Sequence, residues 1–227
     1  MPPTPVRREL QRVSTFLFLV FSFGSTPVFA EDRYEWKTAA KEAGCELVTS
    51  KVAGKKFIAA KATCTIGARL HDIGGILRDI PAYPRWMSDC TTTTMLEVVD
   101  REKDIYVFWY RQHIPVFADR DIVLRSEVAH EKVDGKDVYS IIAASTDDAT
   151  FDARRGFVRM PSFTSEWRLE EIDAEHTRVS FMIDPDLGEG IPPSWTTTRI
   201  TQTPFKSIQG LIRVLKERQQ LLGATGP

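Results

Sequence analysis

The residues of this chain that have the chemistry for catalysis or metal binding are few and scattered. Its four histidines, His71, His113, His130 and His176, fall on a helix-patterned run, a loop, a strand end and a turn. None stands at ligand spacing from another His or from a Cys, so surface roles account for them. Asp184, Asp186 and Glu189 in "DPDLGE" offer oxygen ligands, but they lack the twelve-residue spacing of a calcium loop. Nucleophilic hydrolysis needs a placed Ser or Cys with a base and an orienting acid. The chain carries no G-x-S-x-G elbow, P-loop, G-x-G-x-x-G or C-x-x-C. The reading is a protein that is not an enzyme and uses no metal or cofactor. Its concentrated chemistry is apolar: "IPAYPRWMSDC", residues 80–90, packs two prolines, a tyrosine, a tryptophan and a methionine into one corner. Prolines stiffen such a corner by fixing φ and restricting the residue before them.

That corner follows a run, Ala68 to Ile80, with Leu70, Ile73, Ile76, Leu77 and Ile80 at helical spacing. Ahead of it, Glu31 to Ala43 also reads as a helix, with Trp36, Ala39, Ala40 and Ala43 on one side and Gly44 as its stop. Two β-prone runs then flank Ala53-Gly54-Lys55-Lys56, which fits a type II′ hairpin with Gly at the first central position. In that register Cys45 faces Cys64 as a hydrogen-bonded pair, Cα atoms about 5.5 Å apart, and a disulfide is expected. Cys90 is left over as a small buried hydrophobe. Strand patterns follow at 91–99, 104–112, 120–131, 137–147, 156–171 and 177–183. Ile191 to Leu222 is helical again, interrupted at Pro204, with an apolar stripe of Phe205, Ile208, Ile212, Leu215 and Leu222. A mostly antiparallel sheet between a short early helix and a long late one is an α+β layout. A curved sheet wrapped around one long helix is the helix-grip arrangement, and it leaves an internal hydrophobic cavity.

The first thirty residues read as an address. Arg7, Arg8 and Arg12 precede the apolar run "VSTFLFLVFSFG", and "STPVFA" supplies small residues before a cleavage point near Ala30. The expected organisation is a signal peptide over 1–30 and one domain over 31–227, exported to a compartment such as the periplasm, where disulfides persist. Thirty basic residues stand against 31 acidic ones. With no basic stripe, the chain has no electrostatic footprint for nucleic acid.

Several stretches together resemble the START family, the steroidogenic-acute-regulatory-related lipid transfer domains, especially its bacterial members. They are "DIPAYPRWMSDC" at 79–90, "DRDIV" at 119–123 and "RGFVRMPSFTSEWRLEEI" at 155–172, followed by "TRVSFMIDPD", "IPPSW" and "QTPFKSIQGLIRVLKE". They run in order across nearly all of residues 34–218. The resemblance implies a helix-grip fold with one deep cavity for a single hydrophobic ligand, shielded by the C-terminal helix and neighbouring loops. Many eukaryotic relatives carry a buried arginine six residues after the Arg of that Arg-Asp strand start. Here position 126 is Ser, and Arg125 falls on the other face. Ser126 or Tyr139 would supply a neutral hydrogen bond in its place.

On this frame, loops 112–119 and 184–193 form the gate, with Phe117 and Leu187 as exposed apolar tips for transient contact with a membrane surface. Tyr83, Trp86 and Met87 plug one end of the cavity. Strand 105–111 is apolar on both faces, so its inward side stays open; Trp109 is a lining candidate. On strand 163–169, Phe163, Ser165, Trp167 and Leu169 share a face, and Trp167 points inward. Trp195, Phe205, Ile208 and Ile212 are the lining candidates of the helix. The expected function is binding, and transfer, of a lipid or sterol-like ligand. Two other readings stay open: a polyketide cyclase/aromatase-like enzyme, and a module that binds a protein partner and fills its cavity with its own side chains.

Overall fold

The computed structural model describes residues 33–146, 151 and 156–224, with side chains to residue 221. The export segment expected at 1–30 lies outside the described residues. Ten strands form one sheet: β1 (Lys37–Glu42), β2 (Cys45–Lys51), β3 (Ile58–Ile66), β4 (Cys90–Asp100), β5 (Ile105–Gln112), β6 (Arg120–Val133), β7 (Lys136–Ser145), β8 (Val158–Arg159), β9 (Ser162–Glu171) and β10 (Thr177–Asp186). Helix α1 (Leu70–Leu77) and a 3₁₀ turn (Ile80–Arg85) separate β3 from β4, and helix α2 (Pro193–Ala224) is the last described element. The spatial order is β1-β2-β3-β10-β9-β7-β6-β5-β4. Neighbours on this path are antiparallel, and β8 adds to β6 in parallel, with Arg120 opposite Val158. The sheet curves around α2, which packs on β2, β3 and β10 and against α1. This is the helix-grip α+β fold.

Alternation explains the strands. Along β9, Phe163, Ser165, Trp167 and Leu169 are buried, while Thr164, Glu166 and Arg168 are only half-buried. Val179, Phe181 and Ile183 of β10 lie opposite Leu169, Trp167 and Ser165 on the same inner face. From α2, Ile208 and Leu211 close the core with no exposed surface.

Four expectations are corrected. Residues 37–42 form an edge strand, not a helix; they pair with β2 through a bulge between Thr38 and Ala40. Tertiary pairing outweighs the helical spacing of three alanines. The β2–β3 register holds, with Glu46 opposite Thr63 and Lys51 opposite Ile58. Its turn, however, spans Val52 to Lys55: the Lys55 N–H donates to the Val52 carbonyl at 3.1 Å and Gly54 has φ +75°. Gly54 therefore takes the second central place, as in a type II turn. Cys45 and Cys64 are bonded, and their Cα atoms are 4.4 Å apart, which is the closer, non-hydrogen-bonded kind of pair. Finally, α2 runs through Pro204 without a break.

Candidate functional site

The space between sheet and α2 is walled by the inner faces of β5, β6, β7, β9 and β10. On β5 the inward set is Tyr106, Phe108 and Tyr110, because the opposite face is covered. Val107, Trp109 and Val123 form a separate small cluster there with Phe151 and Phe157. Phe108 faces Leu124 across β5–β6, and Ile141, Trp167 and Phe181 form a continuous row across β7, β9 and β10. The rings of Trp167 and Phe181 stack at 3.9 Å. One row is small: Ser126, Ala143 and Ser165 lie side by side on β6, β7 and β9. The cavity offers about 50 Å³ to the centre of a water-sized sphere.

The helix contributes a different kind of surface. Its cavity face is Thr196, Arg199, Ile200, Thr203 and Ser207, mostly short and hydroxylated. Thr203 and Ser207 donate to the carbonyls four residues earlier, Arg199 and Thr203, at 2.9 and 2.8 Å, which satisfies them inside the helix. The 80–90 corner meets this face. Ser88 N–H donates to Ser207 Oγ at 3.2 Å, and Asp89, at φ +65°, shares the Thr203 hydroxyl proton at 3.1 Å with the Arg199 carbonyl and pairs with the Arg199 side chain. Arg199 also donates to the His113 carbonyl at 3.1 Å, so one arginine ties helix, corner and loop. Tyr83 is anchored by its hydroxyl to the Leu77 carbonyl at 2.6 Å. Burial raises its pKa further from the neutral range, and does the same to Tyr110.

Loops 112–119 and 184–193 both hang on Arg120. This side chain is 2% exposed and pairs with no carboxylate among the described residues; it donates to the carbonyls of Leu187 at 3.0 Å, Glu189 at 2.9 Å and Ala118. Burial lowers its pKa, while the three carbonyls take one proton from each of its three nitrogens. The next residue, Asp121, points the other way and has no exposed surface. It accepts from Trp109 Nε1 at 2.9 Å and from Arg159 Nε and Nη2, each at 3.0 Å. Thus the Arg-Asp pair at the start of β6 fastens loops 112–119 and 184–193 with one side chain and the outer cover with the other. Asp119 holds the first loop: burial pushes its carboxyl upward, but hydrogen bonds from Arg111 and His113 bring it below the ordinary value.

Of the lining candidates, the structure places Ser126, Phe163 and Trp167 on the cavity wall. The other eight stand elsewhere. Trp109 faces the outer cluster. Trp86 is buried behind the wall, edge-on to Trp167 and Tyr83 at 5.8 and 5.2 Å, while Tyr83 and Met87 reach the cavity. Tyr139 stacks on His130 at 4.2 Å. Phe205 and Ile208 are buried core residues that do not line the cavity, and Ile212 is partly buried against the same core. Trp195 is 60% exposed, edge-on to Phe117 at 5.5 Å. The gate tips are exchanged as well: Leu187 is buried on the cavity wall, and the exposed tip is Val116, 81% exposed at φ +69°. A β-branched residue at that φ is strained.

The carboxylates of 184–189 do not converge. Asp184 is fully buried and held by Tyr34 Oη at 2.9 Å, Arg33 at 3.1 Å and Lys55 at 2.8 Å; Asp186 accepts from Gly188 N–H at 2.9 Å. Burial, and then the Asp184 charge, pushes the Tyr34 hydroxyl up to about 12. Among the described residues no three His, Cys, Asp or Glu side chains are grouped to hold a metal ion.

Comparison with known proteins agrees with this geometry. The START domain model matches residues 29–220. Uncharacterized protein PA1579 of Pseudomonas aeruginosa is 23% identical over 214 residues, covering 93% of this chain and 100% of that protein. The crystal structure of a STAR-related lipid transfer protein from Xanthomonas axonopodis superposes with a TM-score of 0.69 at 23% identity, covering 80% of this chain and 98% of that one. Human StAR-related lipid transfer protein 5 gives 0.70 at 14% identity, covering 81% and 88%. These likenesses establish the fold.

Proposed function

Because the chain belongs to the START domain family, a family of hydrophobic-ligand domains, we propose that it binds one lipid or sterol-like molecule between its sheet and α2. We further propose that it carries that molecule between membrane surfaces from an exported, periplasmic location. The observation that supports the reading is the cavity wall itself: aromatic and aliphatic side chains from five strands face a helix strip of short hydroxyl residues. Affinity then comes from apolar burial, at roughly 25 cal/mol per Å² before ordering costs. Binding sites for molecules of this size run to several hundred Å³. Entry therefore requires the sheet, α2 and the two gate loops to part, and the polar ties of Arg120, Asp89 and Arg199 are the contacts that yield. Trp195 and Val116, exposed beside that mouth, are the side chains that would meet a bilayer.

The small volume favours a second reading, a partner-binding module whose interior stays filled by its own side chains. Native mass spectrometry of the exported protein, followed by organic extraction, separates the two. The carrier reading expects one stoichiometric lipid-like adduct. A clean unliganded mass that persists after incubation with lipid vesicles overturns it.

A further inference from the structure

Arg199 lines the cavity, and its Nε–H is buried with no acceptor among the described residues. The side chain as a whole is 32% exposed, yet Nε itself is covered. Its neighbours explain why this donor is left over. Nη2 donates to Asp89 Oδ1 and to the His113 carbonyl at 3.1 Å. A carboxylate can take an arginine by two parallel bonds, one to each of two nitrogens. Asp89 instead turns its second oxygen, Oδ2, to the Thr203 hydroxyl at 3.1 Å, and Nε goes without. A buried donor without an acceptor is unfavourable, and more so on a charged group.

The place of Arg199 matters as much as its free edge. Its bond to His113 puts it at the end of the cavity where loop 112–119 lies. The Trp167–Phe181 row is at the other end, by two measures. Along β6, Val128 stands opposite Ile141 of that row and eight residues past Arg120, about 26 Å of strand. Along α2, Gly210 lies eleven residues past Arg199, about 16 Å of helix, where it meets Trp86, whose ring is 5.8 Å from Trp167. Phe108, Leu124, Phe163 and Ile183 are on the wall between.

We propose that Arg199 Nε–H receives an uncharged acceptor oxygen on the polar end of the ligand, which lies head to the gate with its apolar end against Trp167 and Phe181. The proposal rests on the cavity-binding reading above and deepens it to a ligand class and an orientation. Asp89 already balances the guanidinium charge. A carboxylate or phosphate at Nε would stand against the Asp89 carboxylate, and no other lining residue among those described is cationic. A hydroxyl, ketone or ester oxygen satisfies the donor and adds no charge to the site.

The test uses the full-length gene product and probes with one carbon skeleton: dodecane, 2-dodecanone, dodecanoate and 12-bromo-2-dodecanone. Dissociation constants come from tryptophan fluorescence, checked by native mass spectrometry. Wild type is expected to bind 2-dodecanone at least about tenfold tighter than dodecane, the gain of a hydrogen bond to a charged donor. Arg199→Lys should shrink that ratio and Arg199→Met should remove it. Equal affinities in wild type, or an unchanged ratio in both variants, overturn the anchor and leave the cavity reading standing; the wild-type comparison holds whether or not the variants fold. Dodecanoate binding tighter than 2-dodecanone overturns the uncharged class. For orientation, bromine on the far carbon should quench a tryptophan signal that survives Trp195→Phe and falls in Trp167→Phe. Quenching carried by Trp195, beside loop 112–119, overturns the head-to-gate arrangement. Failure of wild type to bind any of the four overturns the cavity reading, and this proposal falls with it.

Discussion

Gly210 of α2 lies against the backbone of Trp86: a β-carbon at Gly210 would stand 2.0 Å from the Trp86 carbonyl oxygen. The aromatic, proline-stiffened corner is therefore a seat for the helix, held at a distance that only glycine permits, and Arg213 adds a hydrogen bond to the Arg85 carbonyl at 2.7 Å. Gly210→Ala must push α2 off its seat and is expected to cost about 1–3 kcal/mol. Gly75→Ala, where nothing stands within 4 Å, is the control and should be neutral or stabilising by up to about 1 kcal/mol. Urea unfolding of the two variants measures the difference; equal stabilities would refute the close contact.

Arg120→Met removes the donor that joins both gate loops and leaves three carbonyls to find other partners. A loss of about 3 kcal/mol is expected. Hydrogen exchange provides the sharper check: amides of 113–119 and 187–191 should exchange faster than in wild type, while those of β9 and β10 keep their protection.

The Asp119 carboxyl has a folded-state pKa below its ordinary 3.8. A depressed carboxylate pKa means that its ties to Arg111 and His113 stabilise the loop fully above that ordinary value and lose strength as pH falls through the folded one. The first gate loop should therefore stay fastened from neutral pH down to about 5 and loosen only below about 4. Exchange rates corrected for intrinsic pH dependence would show it. Loosening already at pH 5–6 would assign the control to another group.

Reducing the Cys45–Cys64 bond, which spans 19 positions, should lower stability by about 3 kcal/mol, read as a shift of the urea midpoint. Cys90 is the contrasting thiol. It is buried, and burial pushes it up to about 12. The native protein should therefore resist alkylation at pH 8, and one thiol per chain should react on unfolding.

Much of this fold is legible in the sequence because periodicity is a local signal. The alternation of "SFTSEWRLEE" places Trp167 and Ser165 on the inner face without reference to any other segment. The inward side of β5 is not legible, since both of its faces are apolar; the segment carrying Phe151 and Phe157, some 40 residues away, decides that Trp109 is covered from outside. The helix misleads for a different reason. Its apolar stripe at Phe205, Ile208 and Ile212 belongs to the packed core. The strip that faces the cavity is Thr196, Thr203 and Ser207, whose polarity reads as solvent exposure. Space for a ligand calls for small side chains, and small hydroxyl residues leave no hydrophobic signature. Arg120 is missed likewise, because its three partners are backbone carbonyls, which no residue type announces.

The seam between β3 and β10 has a consequence for how the chain must be made. Residues 58–66 have β2 on one side and wait for residues 177–186 on the other. Until translation has passed Asp186, the growing chain has a sheet with an open inner edge, and long-range pairing of this kind is slow to form. A product truncated before β10 would keep its disulfide-closed hairpin, yet expose the β3 edge as a template for sticking to other chains. Quality control of this protein therefore hinges on its last fifty residues, which join the two halves of the sheet and then lay the helix across them.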